Sequence, residues 1–180
     1  IPIEGVVQPG VKMALEQTRS QRIGVIGTEA TIRSNKYPQL IIEKNPKAKV
    51  FVKSCPLFVP LVEDNWGSHP VTLMIAKEYL RPLLEKEIDT LVLGCTHYPM
   101  LSQTIQEVVG EEVRLVNPAQ EAARRMEELL KEKNQLNTTD KIATYEFYVS
   151  DHTEQFEQMA KEFLNRANPQ VQKIDITGDH

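Results

Sequence analysis

Short apolar runs alternate along the chain with longer stretches in which apolar positions recur every three to four residues. Arg22 to Ile26, Val50 to Lys53, Thr90 to Leu93 and Val113 to Val116 are runs of the first kind. Their length, and the Gly, Pro or polar residues around them, predict strands buried on both faces. Ile3 to Val7 reads as another, ending at Gln8, as do Ile142 to Val149 and Val171 to Ile176. Helical spacing predicts a helix after Pro9-Gly10, with Val11, Met13, Ala14 and Leu15, and a second after Gly27-Thr28, with Thr31 and Ile32. Tyr37 to Glu43 is a third. A long helix capped by Ser68 carries Val71, Met74, Ile75, Tyr79, Leu80, Leu83 and Leu84. Pro99 opens a helix that runs to Val109 and stops at Gly110, and Asn117-Pro118 starts an amphipathic one. Thr153 to Leu164 is the last, and Lys131 to Lys141, polar and aperiodic, is a connection. Strands and helices in this alternation give an α/β fold with a parallel sheet flanked by helices on both faces.

Composition narrows the function without naming it. The 180 residues suffice for one full domain and part of another, and no apolar run approaches the roughly 20 residues of a membrane span. The formal net charge of −4 and the scattered basic residues argue against a nucleic-acid partner. Two cysteines make no disulfide framework and fit a reducing cytoplasm. There is no Walker-type loop and no GxGxxG fingerprint. The chain starts Ile1-Pro2-Ile3 rather than with methionine, as an internal fragment or a processed product would.

The chemistry concentrates where the Thr90 strand ends. Gly94 breaks the run and Cys95, Thr96 and His97 follow in the turn before Pro99. Open α/β sheets hold ligands beyond the carboxyl ends of their strands, where the next helix offers unpaired N–H groups. A cysteine ending an apolar strand is commonly core, but three hydrogen-bonding side chains in its exit turn suit a site better. There, a cation or helix N-terminus raises the thiolate fraction of a group whose pKa is ordinarily near about 8.5. One Cys-x-His pair lacks the repeated ligand spacing of a metal site, so no metal is expected. Cys55, without a histidine beside it and followed by Leu57, Phe58 and Val59, reads as packed core. Thr28 is either a helix cap or a ligand donor placed by that cap. Glu63 is a solvated loop acid or a site acid. Asp151 beside His152 is more simply a helix cap than half of a catalytic pair.

Gly94-Cys95-Thr96-His97-Tyr98-Pro99 with Met100-Leu101 resembles the second-cysteine motif of the glutamate racemases, cofactor-independent enzymes that supply D-glutamate for bacterial peptidoglycan. Gly5-Val6-Val7-Gln8-Pro9-Gly10, Gly27-Thr28-Glu29-Ala30-Thr31 with Ser34 and Tyr37, and Cys55-Pro56-Leu57-Phe58-Val59-Pro60-Leu61-Val62-Glu63 are similar to further blocks of that family, in its order. The resemblance implies a two-cysteine, two-base interconversion of L- and D-glutamate with no cofactor. In it Cys95 exchanges the α-proton, His97 assists the thiol and Glu63 assists the acid–base chemistry. Thr96 and His97 contact substrate, and Thr28 and Thr31 help hold a carboxylate. It also implies a cytoplasmic homodimer, each subunit of which has two similar α/β domains. Residues 1–115 would be the second domain, and 116–180 would pack with a first domain absent from this sequence. The Asp-Ser-Gly, Pro-Tyr-Gly and Cys-Asn-Thr blocks that carry the other cysteine are missing, so the isolated chain is expected to be inactive. Three alternatives stay open: a related racemase for aspartate or another dicarboxylate, a noncatalytic binding or regulatory module, and, least supported, a metal-dependent hydrolase.

Overall fold

The structure, a computed structural model, describes residues 3–139, 144–151, 153–164 and 170–176. His152, Ile142 and Ala143, and with them part of the strand expected from Ile142, lie outside those residues. The described chain falls into two compact units, residues 1–136 and 137–180.

The first unit is built on a four-stranded parallel sheet. Its strands are β1 (Arg22–Gly27), β2 (Lys49–Ser54), β3 (Thr90–Leu93) and β4 (Arg114–Val116), in the spatial order β2-β1-β3-β4. Ile23 of β1 is abreast of Val50 on one side and Thr90 on the other, and Val92 is abreast of Val116. Side chains alternate across a strand, so each central strand feeds two cores. Ile26, Leu91 and Leu93 face α4 (Phe58–Glu63), α5 (Pro70–Leu84) and α6 (Ser102–Val109). Ile23, Val25 and Val92 face α1 (Val7–Gln17) and α3 (Lys36–Lys44). α2 (Glu29–Ser34) sits over the end of β1, and α7 (Pro118–Glu132) packs on α1. That contact is close because Gly10 has no side chain: a Cβ there would stand 2.9 Å from Pro118 Cβ. The compact unit runs to Leu136 and includes α7, part of the segment after residue 115 that the resemblance assigns to packing with a first domain.

Four local expectations change. Ile3 to Val7 is not a strand; residues 3–6 have no regular structure, Ile3 is exposed, and α1 already starts at Val7. Pro9 falls in the first turn of that helix, where its missing N–H costs nothing. His69 rather than Ser68 caps α5, its Nδ1 accepting from the Val71 N–H at 3.2 Å with Pro70 at the first helical position. The buried face of α5 is Thr72, Ala76, Leu80 and Leu83, whereas Val71 and Met74 are exposed. Lastly, a 3₁₀ turn, Tyr98–Leu101, stands between Cys95 and α6, so no α-helix begins directly behind the thiol.

The second unit pairs β5 (Phe147–Val149) with β6 (Val171–Lys173) in parallel, joined through α8 (Thr153–Leu164). Phe147 packs on Phe156 of that helix at 6.1 Å between ring centroids.

Candidate active site

Every segment that carries a candidate residue follows a strand at the carboxyl edge of the first unit's sheet. Register sets the arrangement: Ile26 pairs with Leu93 and Gly27 with Ser54, so the residues just past these pairs stand side by side. Gly94 donates its N–H to Ile26 O at 2.7 Å, and Cys55 donates its own to Gly27 O at 3.0 Å. Close packing demands the glycines. A Cβ on Gly94 would meet Ile26 O at 2.7 Å, and one on Gly27 would meet the Thr31 side chain at 2.9 Å.

Cys95 is held from both sides. Behind it is the Gly94 bond to β1; ahead of it, the Tyr98 N–H bonds the Cys95 carbonyl at 3.2 Å. Tyr98 is itself an anchor, fully buried, with its hydroxyl donating to Cys55 O at 2.8 Å. Burial, helped by the nearby cysteines and Tyr79, pushes that phenol far above its ordinary value, so it acts as a fixed donor. The turn leaves Cys95 half-buried and Thr96 exposed.

His97 connects the thiol to the acid. Its Nδ1 lies 4.0 Å from Cys95 Sγ and 3.3 Å from Thr96 Oγ1, while its Nε2 lies 3.3 Å from Glu63 Oε1. The Glu63 contact is within ion-pair range, although it is not aligned as a hydrogen bond. With its proton on Nε2, toward that carboxylate, the ring would present Nδ1 to the thiol as an acceptor. Glu63 is the last residue of α4 rather than a loop residue. Phe58, at the start of that helix, stands edge-on to Tyr98 with centroids 5.2 Å apart, and so ties α4 to the turn of His97.

Thr28 and Thr31 are neighbours on α2. Thr28 is its N-cap, accepting from the Thr31 N–H at 3.3 Å, and the two hydroxyl oxygens are 3.1 Å apart. The cap is formed, and a cap that leaves a hydroxyl pair half-exposed still offers donors to a ligand. Thr31 also reaches the Cys95 turn: its Cγ2 would touch a Cβ on Gly94 at 3.4 Å. Cys55 is fully buried, with its thiol pushed up to about 12 by desolvation that the nearby Lys53 charge only partly offsets. It is core, as its neighbours imply. Among the described residues no group of three or more His, Cys, Asp or Glu could hold a metal, and no helix is long and apolar enough to cross a membrane.

Two residues that line the site were not singled out for it by the sequence. Tyr37 and Asn117 border a recess of about 80 Å³ whose wall includes Cys95 and Thr96. Asn117 follows β4 just as Cys95 follows β3, and this equivalence at the sheet edge was the available signal.

A parallel sheet with a half-buried thiol, an imidazole and a carboxylate at its carboxyl edge defines the class. Residues 1–126 match the family model described as Asp/Glu/Hydantoin racemase, and the chain belongs to that family. Within it, the chain is 42% identical to the glutamate racemase of Syntrophus aciditrophicus over 176 residues, covering 98% of this chain and 65% of that protein. It is 42% identical to the glutamate racemase of Geobacter metallireducens, over 99% of this chain and 66% of the relative. Its fold is similar to the crystal structure of a glutamate racemase isoform from Bacillus anthracis, with a TM-score of 0.90, 33% identity and coverage of 99% and 66%. It is also similar to the Francisella tularensis glutamate racemase solved in complex with D-glutamate, with a TM-score of 0.86, 36% identity and coverage of 98% and 64%. The chain thus spans slightly less than two thirds of the length of these relatives.

Proposed function

We propose that the whole protein to which this chain belongs interconverts L- and D-glutamate without a cofactor, and that Cys95 is one of its two acid–base groups. The observation that carries the reading is the line from Cys95 Sγ to His97 Nδ1 and from His97 Nε2 to Glu63 Oε1. Racemisation requires a proton to leave one face of the α-carbon and another to arrive on the opposite face. On one face, the Cys95 thiolate takes the α-proton and becomes the thiol. On the other, a second group donates a proton to the planar carbanion and is left deprotonated. Run in reverse, Cys95 is the donor. His97 serves the thiol by accepting its proton before substrate is attacked, and Glu63 positions the ring.

Thr96, Thr28 and Thr31 supply hydroxyl donors for substrate carboxylates around the thiol. The second base does not come from Cys55, which is enclosed and too basic to ionise near neutral pH. It is assigned to a further domain, so this chain by itself should not racemise glutamate at a useful rate. Peptidoglycan synthesis is the use that the family resemblance gives to D-glutamate, and a cytoplasmic homodimer is the accompanying expectation.

The test is α-proton exchange by the full-length protein in deuterated water, with L-glutamate, D-glutamate and both aspartates as substrates. Wild type should wash deuterium into both glutamate enantiomers, and Cys95→Ser should lower the rate at least ~100-fold, within the range of a lost general base. Equal turnover by Cys95→Ser would remove the thiol from the mechanism, and preference for aspartate would reassign the substrate.

A further inference from the structure

The recess beside Cys95 holds two polar groups that the proposed mechanism does not use. Tyr37 is 4% exposed; among the described residues no protein group hydrogen-bonds its hydroxyl, which is not an enclosed unpaired atom and so is open to a ligand. The ring lies against the Cys95 turn, its Cε2 3.4 Å from where a Cβ on Gly94 would stand. Asn117 is constrained by its cap: Oδ1 must accept from the Ala119 and Gln120 N–H groups, at 3.1 and 3.4 Å. That fixes the amide orientation and leaves Nδ2 a donor with no protein acceptor among the described residues. Val92 pairs with Val116, so Asn117 comes off the sheet next to Leu93 and Gly94.

Both residues line the same recess as Cys95 and Thr96, and no carboxylate lines it. Its other walls include Val6, Leu93 and Pro118. About 80 Å³ is room for one carboxylate, or for roughly two waters at about 30 Å³ each. Donors with no carboxylate among their neighbours, in an apolar hollow next to the thiol, suit an anionic group.

We propose that the Tyr37 hydroxyl and the Asn117 side-chain amide donate hydrogen bonds to one carboxylate of the substrate in this recess, and so supply binding affinity beside Cys95. The inference rests on the reading of Cys95 as the acid–base group for a dicarboxylate amino acid. Burial supports it by pushing the Tyr37 phenol up to about 12, which keeps it a neutral donor over the working pH range.

Two substitutions remove the donors while preserving the structure. Tyr37→Phe keeps the ring, and Asn117→Asp keeps the capping oxygens. In the full-length protein each should raise KM for both glutamate enantiomers about tenfold or more, the loss expected for a hydrogen bond to a charged group. kcat should stay within about threefold and the melting temperature within a few degrees, a split that a purely structural role would not produce. Asn117→Asp, which also adds a repelling charge, should show the larger rise. A KM within threefold of wild type in Tyr37→Phe overturns the proposal. If that variant melts too low to assay, Asn117→Asp decides on the same threshold. Wild-type protein that neither turns over nor binds glutamate would instead sink the functional reading, and the inference with it.

Discussion

At the scale of single residues, His97 and Glu63 show how a site is assembled from parts that are weak alone. Neither is deeply buried, with side chains 21% and 35% exposed, so the contact adds little to stability. On the proposed mechanism its value is orientation, because an imidazole that turned away would leave the thiol without an acceptor. Glu63→Gln in the full-length protein should therefore lower kcat about tenfold and leave KM within about threefold, matching the usual loss on removing an orienting partner. Steady-state rates with both enantiomers check this, and a change confined to KM would make Glu63 a substrate contact. Asp89 illustrates the opposite balance. It lies at the other end of β3, taking the Thr18 hydroxyl and the Arg19 and Ser20 N–H groups at 2.5 to 2.6 Å. Desolvation alone would raise its pKa, but these bonds outweigh it and bring the carboxyl down from 3.8 to about 2. A depressed folded-state pKa means stability that is present above about pH 4 and is lost as pH falls toward 2. Asp89→Asn should thus cost about 1 kcal/mol at pH 7, after allowance for solvent screening. Denaturant melts of the two proteins should converge between pH 4 and 2.

Elements meet at this edge through small residues. β1 and β3 pair right up to Gly27 and Gly94, and α2 descends onto both because neither has a side chain. Gly94→Ala would force a Cβ to within 2.7 Å of the Ile26 carbonyl, and a backbone atom cannot swing aside as a side-chain tip can. The expected cost is about 1–3 kcal/mol. Because Cys95 is the next residue, activity should drop by much more than the fraction unfolded. Comparing the melting temperature with kcat for this one variant measures both effects, and full activity in a destabilised protein would show that the turn tolerates the shift. The 3₁₀ turn belongs to this scale too. The Ser102 hydroxyl bonds Pro99 O at 2.6 Å, an i to i+3 closure within the tight turn that replaces the expected first turn of an α-helix.

For the molecule as a whole, the first unit has the features independent folding needs: both faces of its sheet are covered, and its core is continuous on each side. Residues 1–136 expressed alone should melt cooperatively, with far-UV circular dichroism and tryptophan fluorescence giving the same midpoint. Non-coincident transitions would mean that the unit depends on the chain beyond Leu136. Folding alone is a separate property from turnover, which on the proposed mechanism needs a second base from outside this chain.

The sequence determined the alternation of strands and helices, and with it the parallel sheet, because periodicity and strand length are local properties. It also singled out Cys95 and His97, two residues apart at the end of a strand, and the Thr28 cap. Tertiary structure decided the features that depend on pairing between distant segments. Strand order brings Thr31 against Gly94, the packing of Phe58 on Tyr98 carries Glu63 to His97, and register sets Asn117 beside Cys95. It also decided the failures of local reading. Ile3 to Val7 has strand-like composition, but a strand needs a neighbour, and the helix begins at Val7 instead. Ser68 has the right chemistry for a cap, yet Pro70 fixes the first helical position one residue later and gives that task to His69. Tyr37 belongs to a block similar to the family's, but only the fold shows that it lines a recess with Cys95 and Asn117, since a shared wall is a property of three-dimensional neighbours rather than of spacing along a chain.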